Sequence, residues 1–474
     1  MKSFRGWLCF TLLLLMIGAI SAGAVTLGIT ADGRYFTIDG VPTYLNGISY
    51  YAGCSVSNPS WVTQDLDDMV ADKLNWIRVW THWDSAGSVT TTNGTVREPA
   101  MSRLKTLISE CNSRGMIVDV SMSRGGSPSP SNQADHLACA RTIATQLLPY
   151  RNVYIDIGNE RDVGDARFVS YADMAELITA IKMIDPNRLC TASGVPSDQK
   201  DLNQYLSVGH CDFISTHLCR DAECPAQTIN TVKTFITWMN NLGKRVPVHL
   251  QEPFRRDYAS YQPVQDDFYR DNGGGKLAEA AGWCLHNGSN HGKSPWRSFN
   301  MTGDKGRLYA QLDSVEREVS DNLNDIIGGV SLNVRRYQAE YGEQLSHKIG
   351  RRDGSAWSAN LTQDKEGYLS DGPYLDNLAA GNHRVTWRLK IDNKSMDNNP
   401  VVRIDVCSGD KVLVQKEIKR SDFTEADTWQ LFDLDFTKTD QQKLEFRTYW
   451  MGNSKMELDH ITLTIGGSSK TTAP

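Results

Sequence analysis

The chain has 474 residues, of which 40% are hydrophobic and 22% are charged, a composition that supports two or three globular domains with buried cores. Its net charge of −6 argues against nucleic acid or an anionic membrane surface as a partner. Because the sequence contains neither a GxGxxG dinucleotide fingerprint nor a P-loop, no cofactor is predicted for catalysis.

The N-terminus has the pattern of a secretory signal peptide. Lys2 and Arg5 supply positive charge, and the apolar run from Leu8 to Ile20 is too short to span a bilayer as a mature anchor. Ala22-Gly23-Ala24 then matches the small-residue cleavage pattern. We therefore expect residues 1–24 to be removed and the protein to be secreted, to the extracellular space or the periplasm. An uncleaved membrane anchor is the alternative.

The cysteines do not form a regular disulfide framework. The sequence holds 10 cysteines, and because Cys9 lies in the predicted signal, an odd number, nine, remains. Cys219 and Cys224 are close enough in sequence to bridge a loop. With Cys211 and His217 they make a conceivable metal site, but the spacings match no zinc pattern, so buried or disulfide-bonded cysteine is the simpler expectation.

Residues 25–327 alternate short apolar strands with helical segments, which predicts a (β/α)8 TIM barrel. Apolar residues recur at helical spacing in segments 65–74, 166–184 and 307–324. The alternative, a doubly wound open sheet, usually has fewer strands and a phosphate-binding glycine turn after the first one. The predicted barrel strands are Tyr44–Tyr50, Trp76–Trp83, Met116–Ser123, Val153–Glu160, Leu189–Gly194, Phe213–Cys219, Val246–Glu252 and Gly282–Asn287.

A second domain of different character follows. Residues 328–336, which include Gly328-Gly329, are predicted to be a linker, and residues 337–467 a small all-β sandwich of the jelly-roll kind. Residues 468–474 form a polar tail that we expect to be disordered. Apolar and polar residues alternate at strand period in His383–Ile391, Val401–Cys407, Lys411–Glu417, Trp429–Phe436, Lys443–Tyr449 and Met456–Ile465.

Two glutamates end predicted barrel strands at the edge where TIM-barrel active sites lie. Glu160 follows Asn159 at the end of the fourth strand, and Glu252 ends the seventh. Glycoside hydrolysis uses such a pair, one carboxyl to protonate the leaving oxygen and one to attack the anomeric carbon or activate water. A single glutamate after a strand is weak evidence, but this pair predicts a glycosidase.

On these residues the chain resembles glycoside hydrolase clan A, and within it the cellulase-like family 5. The resemblance implies that Glu160 is the acid/base and Glu252 the nucleophile of a retaining enzyme. It further implies that Asn159 contacts the sugar 2-hydroxyl and that Arg78, on the second strand, binds the nucleophile. His217 at the end of the sixth strand and Trp283 on the eighth, as the floor of the cleaved sugar's site, complete the implied set.

Two departures from the family pattern indicate a divergent member. Cys219 stands where the family usually has a tyrosine that touches the nucleophile. A histidine expected near the end of the third strand is also missing, since Ser121, Ser123 and Arg124 occupy that stretch. The substrate therefore does not follow from the resemblance.

Charge and aromatic residues near the strand ends add further expectations. We expect Arg78 to keep Glu252 ionised, and burial beside that charge to raise the pKa of Glu160. Tyr50 and Trp83 are predicted sugar-binding residues, with core packing as the alternative for each. Further candidates, for which core packing or ordinary hydrogen bonding is the simpler interpretation, are Tyr51, Trp80, His82 and His286.

Arginines also follow several strand ends, which raises the possibility of an anionic polysaccharide as substrate. The simpler explanation is that they pair with the nearby carboxylates of Asp162, Asp165, Asp221 and Asp257. The arginines concerned are Arg124, Arg161, Arg220, Arg255 and Arg256.

The second domain resembles carbohydrate-binding modules of families 6 and 35 in its first segment, Tyr337–Glu340, and its last, Glu457–Ile461. That resemblance implies a structural calcium ion held by Glu340 and Asp459. A purely structural sandwich is the alternative. Candidate sugar-stacking aromatics are Trp357, Tyr368, Tyr374 and Trp450.

The sequence thus predicts a secreted, monomeric, retaining, endo-acting β-glycanase that cleaves a polysaccharide or oligosaccharide. An exo-acting β-glycosidase and a non-catalytic carbohydrate-binding protein are the alternatives. Retention requires the carboxyls of Glu160 and Glu252 to lie about 5–5.5 Å apart, whereas inversion requires about 6.5–9.5 Å.

Overall fold

A computed structural model describes residues 24–253, 256, 260–286, 299–301, 305–439 and 443–467. The predicted signal peptide, apart from Ala24, and the predicted tail 468–474 lie outside the described residues. Within the described part of the chain, no helix has the length and apolar character needed to cross a bilayer.

Three short strands that the sequence did not predict open the chain and form an antiparallel sheet: β1 (Leu27–Ile29), β2 (Phe36–Ile38) and β3 (Val41–Thr43). The fully buried ring of Phe36 packs edge-on against Phe213, 4.9 Å between ring centres, and parallel to Tyr154. Tyr154 and Phe213 stand at the amino ends of their barrel strands, so this sheet closes the bottom of the barrel, opposite the active-site end.

Eight parallel strands form the predicted barrel, with shorter bounds than the sequence indicated. Each pairs with its neighbours in the order β8-β7-β6-β5-β4-β11-β10-β9. A parallel bridge between Gly194 and Thr216 closes the ring between β8 and β9. The strands are β4 (Leu45–Ser49), β5 (Trp76–Trp80), β6 (Ile117–Ser121), β7 (Val153–Asp156), β8 (Cys190–Thr191), β9 (Ile214–His217), β10 (Val248–Glu252) and β11 (Gly282–Leu285).

Helices alternate with these strands, and side-chain caps fix several of their first turns. The predicted helix 307–324 is two helices, because Asp313 caps a new one by accepting from the Glu316 amide at 2.9 Å while Glu316 accepts from the Asp313 amide. The helices are α1 (Pro59–Ala71), α2 (Ala100–Ser113), α3 (Gln133–Leu147), α4 (Tyr171–Ile184), α5 (Gln199–Asn203), α6 (Cys224–Asn241), α7 (Gln265–Leu277), α8 (Leu308–Gln311) and α9 (Ser314–Ile326), with a π-helical turn at Gln204–Val208.

The second domain is the predicted antiparallel sandwich. One sheet has the order β13-β14-β22-β17-β20 with β12 on β22, and the other β15-β21-β18-β19 with β16 on β21. The strands are β12 (Val334–Gln338), β13 (Arg351–Asp353), β14 (Ala356–Ala359), β15 (Gly367–Ser370), β16 (Pro373–Leu375), β17 (Gly381–Ile391), β18 (Pro400–Ser408), β19 (Lys411–Lys419), β20 (Gln430–Lys438), β21 (Leu444–Trp450) and β22 (Met456–Ile465).

The linker prediction is wrong at its end. Strand β12 begins at Val334, inside the predicted linker 328–336, because it pairs with β22 along its whole length. The sandwich is joined to the barrel by polar contacts with α7, among them Arg270 Nε to Glu343 Oε1 at 2.6 Å and the Tyr341 hydroxyl to Asp266 Oδ1 at 2.6 Å.

Candidate active site

A polar layer occupies the upper interior of the barrel, and Arg78 lies at its centre. The guanidinium, which has no exposed surface, donates from Nε to Ser121 Oγ at 2.8 Å and from Nη2 to Asp156 Oδ2 at 3.2 Å. Asp119 lies 3.5 Å from the same group, and burial raises the pKa of this aspartate to about 7. The carboxylates also hold the pKa of Arg78 above its usual value despite burial, so its cation is permanent.

Glu252 reaches the mouth of the barrel through an irregularity in its strand. The register between β10 and β9 shifts between Leu250 and Glu252, and a bulge of this kind re-aims the side chain that follows it. Arg78 Nη1 donates to Glu252 Oε2 at 2.8 Å, and Arg220 Nη2 donates to Oε1 at 2.5 Å. His286 Nε2 lies 3.2 Å from the same Oε1.

These contacts keep Glu252 ionised. Burial alone raises the pKa of Glu252, but the charges of His286, His217 and Arg78 hold it well below its usual range. A carboxylate that remains anionic in a nearly water-free position is suited to nucleophilic attack.

Glu160 stands just beyond the fourth strand with a left-handed backbone, φ 50°. Such a conformation costs of order 1–3 kcal/mol in a residue other than glycine, and it concentrates at functional sites. The side chain lies between Arg167, whose Nη1 donates to Oε2, and Arg220, whose Nη2 is 3.7 Å from Oε1. His217 Nδ1 also lies 3.7 Å from Oε1.

The two glutamates face each other at short range. One oxygen of each, together with a ring nitrogen of His217, lies within 4.8 Å of the others. So close an approach favours a retaining pair, since the carboxyls of an inverting pair lie about 6.5–9.5 Å apart to admit a water. Among the described residues this is the only grouping of three side chains with the spacing of metal ligands. The arginines already neutralise its carboxylates, which argues against a cation there.

The predicted pKa of Glu160 is wrong in direction. Its interaction with His217 lowers the pKa most, and Arg167 lowers it further, which together outweigh burial and the charge of Glu252. Burial and the charge of Glu252, which raise the pKa of Glu160, could be expected from the sequence. The cationic groups on the opposite side of the Glu160 carboxyl could not. In the ligand-free site Glu160 is therefore held as a carboxylate.

Asn159 and His217 lie where the resemblance placed them. Asn159 Oδ1 accepts from Arg78 Nη2 at 2.6 Å, so the donor that this side chain can offer to another group is its amide nitrogen. His217 Nε2 lies 3.2 Å from Gln251 Oε1 and 3.6 Å from Glu252 Oε2. The buried side chain of Gln251 in turn donates to Asp156 at 3.2 Å, which ties the histidine to the polar layer.

Two residues predicted to bind sugar point away from the barrel mouth, toward the surrounding helices. Trp283 is fully buried outside the strand ring, where its Nε1 donates to Asp271 Oδ2 of α7 at 2.6 Å. Tyr50 is also fully buried, and its hydroxyl donates to Asp65 of α1 at 3.1 Å. Side chains alternate along a strand, so the inward positions beside Trp283 belong to Cys284 and then His286.

Aromatic rings that do reach the mouth cluster around Tyr51. Its ring lies 4.8 Å from each of Trp80 and Trp83, and its hydroxyl lies 3.1 Å from His286 Nε2. Trp83, a predicted sugar-binding residue, is half-buried and donates from its Nε1 to Asn300. His82, by contrast, lies in the core with both ring nitrogens hydrogen-bonded to threonines.

The strand-end arginines divide into two groups. Arg124 and Arg256 pair with carboxylates, Asp173 at 3.0 Å and Asp313 at 2.5 Å, which are not the aspartates expected from the sequence. Arg161 is buried and donates to the Val169 carbonyl of its own loop. Arg220 instead contacts both glutamates. Arg255 lies outside the described residues.

Arg167 was not predicted from the sequence, and Arg220 was not placed beside Glu252. The one available signal was the position of Arg220 immediately after Cys219, where the family tyrosine is absent. Cys219 and Cys224 form a disulfide that closes the loop carrying Arg220, as their spacing allowed. The pairing also removes these two cysteines from any metal site.

The two residues predicted to hold calcium have different surroundings in the sandwich. Arg388 and His460 contact the carboxylate of Asp459, with His460 Nδ1 at 2.9 Å. Burial raises the pKa of Glu340 to about 8, so without a cation this carboxyl is held in its neutral form at pH 7. Of the predicted sugar-stacking aromatics, Trp450 is a fully buried core residue, whereas Tyr374 is exposed.

Comparison with known proteins identifies the family. Residues 31–252 match the family model described as Cellulase (glycosyl hydrolase family 5). A structure titled "Glycoside hydrolase" shares 14% identity with a TM-score of 0.51, over 96% of this chain and 99% of that one. A glycoside hydrolase family 5 protein from Bacteroides vulgatus ATCC 8482 shares 14% identity with a TM-score of 0.52, over 94% of each chain.

At this identity the structural likeness shows the fold, and it extends over both domains. No curated protein matches the sequence. The family match spans the barrel from its first strand to the glutamate that ends the seventh. The chain therefore carries a glycosyl hydrolase family 5 domain with the clan A fold, matched over residues 31–252, and its activity is that of a retaining O-glycosyl hydrolase.

Proposed function

We propose that the protein is a secreted, endo-acting β-glycanase that works by double displacement, with Glu252 as nucleophile and Glu160 as acid/base. The observation that carries this proposal is the pair of carboxylates at the barrel mouth, with one oxygen of each within 4.8 Å of the other. Arg78 and Arg220 hold Glu252 in one orientation, as a nucleophile requires.

In the first step Glu252 attacks the anomeric carbon while Glu160 donates its proton to the leaving glycosidic oxygen. Because Arg78 already occupies Asn159 Oδ1, the amide nitrogen of Asn159 is directed to donate to the sugar 2-hydroxyl. That hydrogen bond strengthens as charge develops on the ring, so it lowers the barrier rather than merely tightening binding.

In the second step the glycosyl ester on Glu252 is hydrolysed. Ester formation removes the negative charge of Glu252 from the neighbourhood of Glu160, which favours the ionised form of Glu160. The carboxylate then takes a proton from the attacking water, and the sugar leaves with its original anomeric configuration.

Two features favour a polymeric, extracellular substrate. The N-terminal pattern of residues 1–24 is that of a secretory signal. An accessory sandwich resembling a carbohydrate-binding module raises the local concentration of a polymer at the barrel. An exo-acting β-glycosidase is the second candidate, and the sizes of the products distinguish the two.

The test is a reducing-sugar screen over neutral and acidic β-glycans, with product sizes and anomeric configuration recorded by chromatography and NMR. We expect retained configuration and a mixture of oligosaccharide lengths from early times. Glu160→Gln lowers kcat by about 10²–10⁴-fold on natural glycans because the proton donor is lost, and Glu252→Gln abolishes turnover.

Glu110→Gln, which alters an exposed glutamate on α2, serves as the control and keeps full activity. Monosaccharide as the sole early product would favour the exo-acting alternative. Inverted products, or full activity in both active-site variants, would refute the assignment, and binding without hydrolysis by the unaltered protein would indicate a non-catalytic carbohydrate-binding protein.

A further inference from the structure

Arg167 lies on the loop that follows Glu160 and bridges two carboxylates. Its Nη1 donates to Glu160 Oε2, while its Nη2 donates to Asp165 Oδ2 at 2.7 Å. Arg161 anchors the base of this loop, since its Nε donates to the Val169 carbonyl at 2.9 Å and the Val169 amide donates back at the same distance. The loop is therefore fixed at its ends, and the arginine is presented at its exposed part.

This contact stabilises the wrong protonation state for the first chemical step. The groups that face Glu160 are Arg167 from its own loop, His217 from β9, Arg220 from the loop after β9, and Glu252 from β10. Three of them favour its carboxylate, and its pKa is lowered accordingly, chiefly by His217. A general acid needs its proton, so at least one of these partners has to leave before the leaving group is protonated.

Arg167 is the partner that leaves most easily. Its side chain is 36% exposed, compared with 17% for Arg220, which a disulfide-closed loop holds against the nucleophile. Asp165 is itself half exposed, so Arg167 keeps a solvent-accessible counter-ion when it swings away from Glu160. His217, in contrast, is buried and hydrogen-bonded to Gln251.

The acid/base glutamate touches the glycosidic oxygen, so the sugar beyond that oxygen lies on the side of Glu160 where Arg167 stands. A neutral hydroxyl competes poorly for a guanidinium that already binds two carboxylates. An anionic substituent competes well, because the planar fork of arginine binds carboxylate and sulfate oxygens with two charge-assisted hydrogen bonds.

We propose that Arg167 recognises an anionic substituent, a carboxylate or a sulfate ester, on the leaving-group sugar, and that this binding frees Glu160 to take a proton from solvent. The substrate class is therefore an acidic β-glycan, and Arg167 determines the specificity. This inference rests on the proposed function, in which Glu160 is the general acid. The proton acquired by Glu160 then passes to the glycosidic oxygen as the bond to the anomeric carbon breaks.

The experiment compares each neutral glycan with a charged glycan of the same backbone. The pairs are hydroxyethyl and carboxymethyl cellulose, unsubstituted xylan and glucuronoxylan, and each neutral glycan with its sulfated derivative. For whichever backbone is cleaved, we expect kcat/KM on the charged glycan to exceed that on the neutral glycan by about tenfold or more. Preference for the carboxylated or the sulfated member identifies which anion is recognised.

Arg167→Gln removes the guanidinium and should lower kcat/KM on the charged glycan. The ratio of kcat/KM between the charged and the neutral glycan should therefore fall close to one. On the neutral member the substitution should move the basic limb of the pH profile of kcat/KM to higher pH, because Glu160 holds its proton more readily without the guanidinium. The matched control is Arg384→Gln in the sandwich, an arginine of similar exposure that also bridges two carboxylates, those of Asp433 and Asp435. It should leave both readouts unchanged.

Equal activity of the unaltered enzyme on neutral and charged members, or an unchanged preference in Arg167→Gln, would overturn the inference while leaving the proposed function intact. A change of the preference in Arg384→Gln would overturn it as well, because the effect would then not belong to Arg167. If no glycan is cleaved at all, the proposed function fails, and the inference fails with it.

Discussion

Around Glu252, the proposed nucleophile, the chain departs from the family pattern at one residue, and the next residue supplies a different contact to the same carboxylate. Cys219 removes the tyrosine expected beside Glu252, and Arg220 places a guanidinium on the same carboxylate at 2.5 Å. A tyrosine hydroxyl is a neutral donor, whereas arginine adds a permanent positive charge. Compared with the family pattern, the site therefore differs in the charge beside Glu252 and not in the number of its hydrogen bonds.

Replacement of Arg220 by glutamine tests this charge. We expect kcat/KM to fall by about 10–100-fold, because a charge-assisted hydrogen bond to a charged group contributes about 1.5–3 kcal/mol. Loss of the cation raises the pKa of Glu252, which must be ionised, and that of Glu160, which must be protonated. Both limbs of the pH profile of kcat/KM should therefore move to higher pH.

The control for Arg220→Gln is Arg114→Gln, which alters an arginine bound to Asp67 and Glu110 on the outside of the barrel. Its pH profile should match that of the unaltered enzyme. Limbs that stay in place in Arg220→Gln would mean that Arg78 and the two histidines alone set the ionisation of the pair.

At the scale of strands and helices, periodicity and composition predict the elements but not always the direction of a side chain. The eight barrel strands follow from apolar runs alone, and the polar ends of the fourth and seventh predict two carboxylates that the fold brings together. Glu252 reaches the mouth only because a bulge shifts its register. Trp283 and Tyr50 were predicted from proximity to strand ends, and alternation turns both toward the helices.

Short and loop-borne features were beyond such reasoning. Strands β1 to β3 have three residues each, too few for alternation to be recognised. Arg167 reaches Glu160 from the middle of a loop, where no periodicity indicates which way a long side chain extends. The pKa of Glu160 was misjudged for the same reason, because it depends on which loop residues face it.

The loop closed by Cys219 and Cys224 is predicted to act as an element that positions Arg220. The double variant Cys219→Ser/Cys224→Ser should lose only about 2 kcal/mol of stability, because the closed loop is short, with a sequence separation of five. Its kcat/KM should fall as the loop loosens. In the Arg220→Gln background the same change should cost almost nothing further in kcat/KM, since the two act through one contact.

Kinetics and thermal unfolding of the four proteins in this cycle give the measurement. Equal losses of activity from the serine pair in both backgrounds would show that the disulfide acts on the site by another route. Reduction of the unaltered enzyme by dithiothreitol should reproduce the effect of the serine pair.

At the scale of the whole molecule, the change in hydrophobic pattern along the sequence predicts two domains but not the contacts that join them. Helix α7 contributes to both, since it packs against β11 of the barrel and also carries Asp266 and Arg270, which bind Arg352 and Glu343 of the sandwich. The two members of each pair are 86 and 73 residues apart in sequence, and polar pairs of this kind leave no periodic pattern. The contacts between the two domains could therefore not be predicted from the sequence.

Lys276, near the end of α7, is buried at this junction and provides a test of it. Its Nζ donates to the carbonyls of Ile327 at 3.0 Å and Gly329 at 2.6 Å, just before the sandwich begins. Burial, reinforced by Arg336 and Arg335, lowers its pKa from 10.5 to about 7. Between pH 7 and about 10.5 the unfolded chain therefore binds a proton that the folded chain has released.

The free energy of unfolding should consequently rise with pH through this window, by up to about 1.4 kcal/mol per pH unit from this one amine. Below pH 7 both states are protonated, so the contribution no longer changes. Lys276→Met should lack the rise, whereas Lys73→Met, which alters an amine that is 65% exposed, should keep it. Urea unfolding of the three proteins at pH 7, 8 and 9 measures the slopes. Parallel slopes for Lys276→Met and the unaltered protein would mean that the amine is hydrated and that the two domains do not close over it.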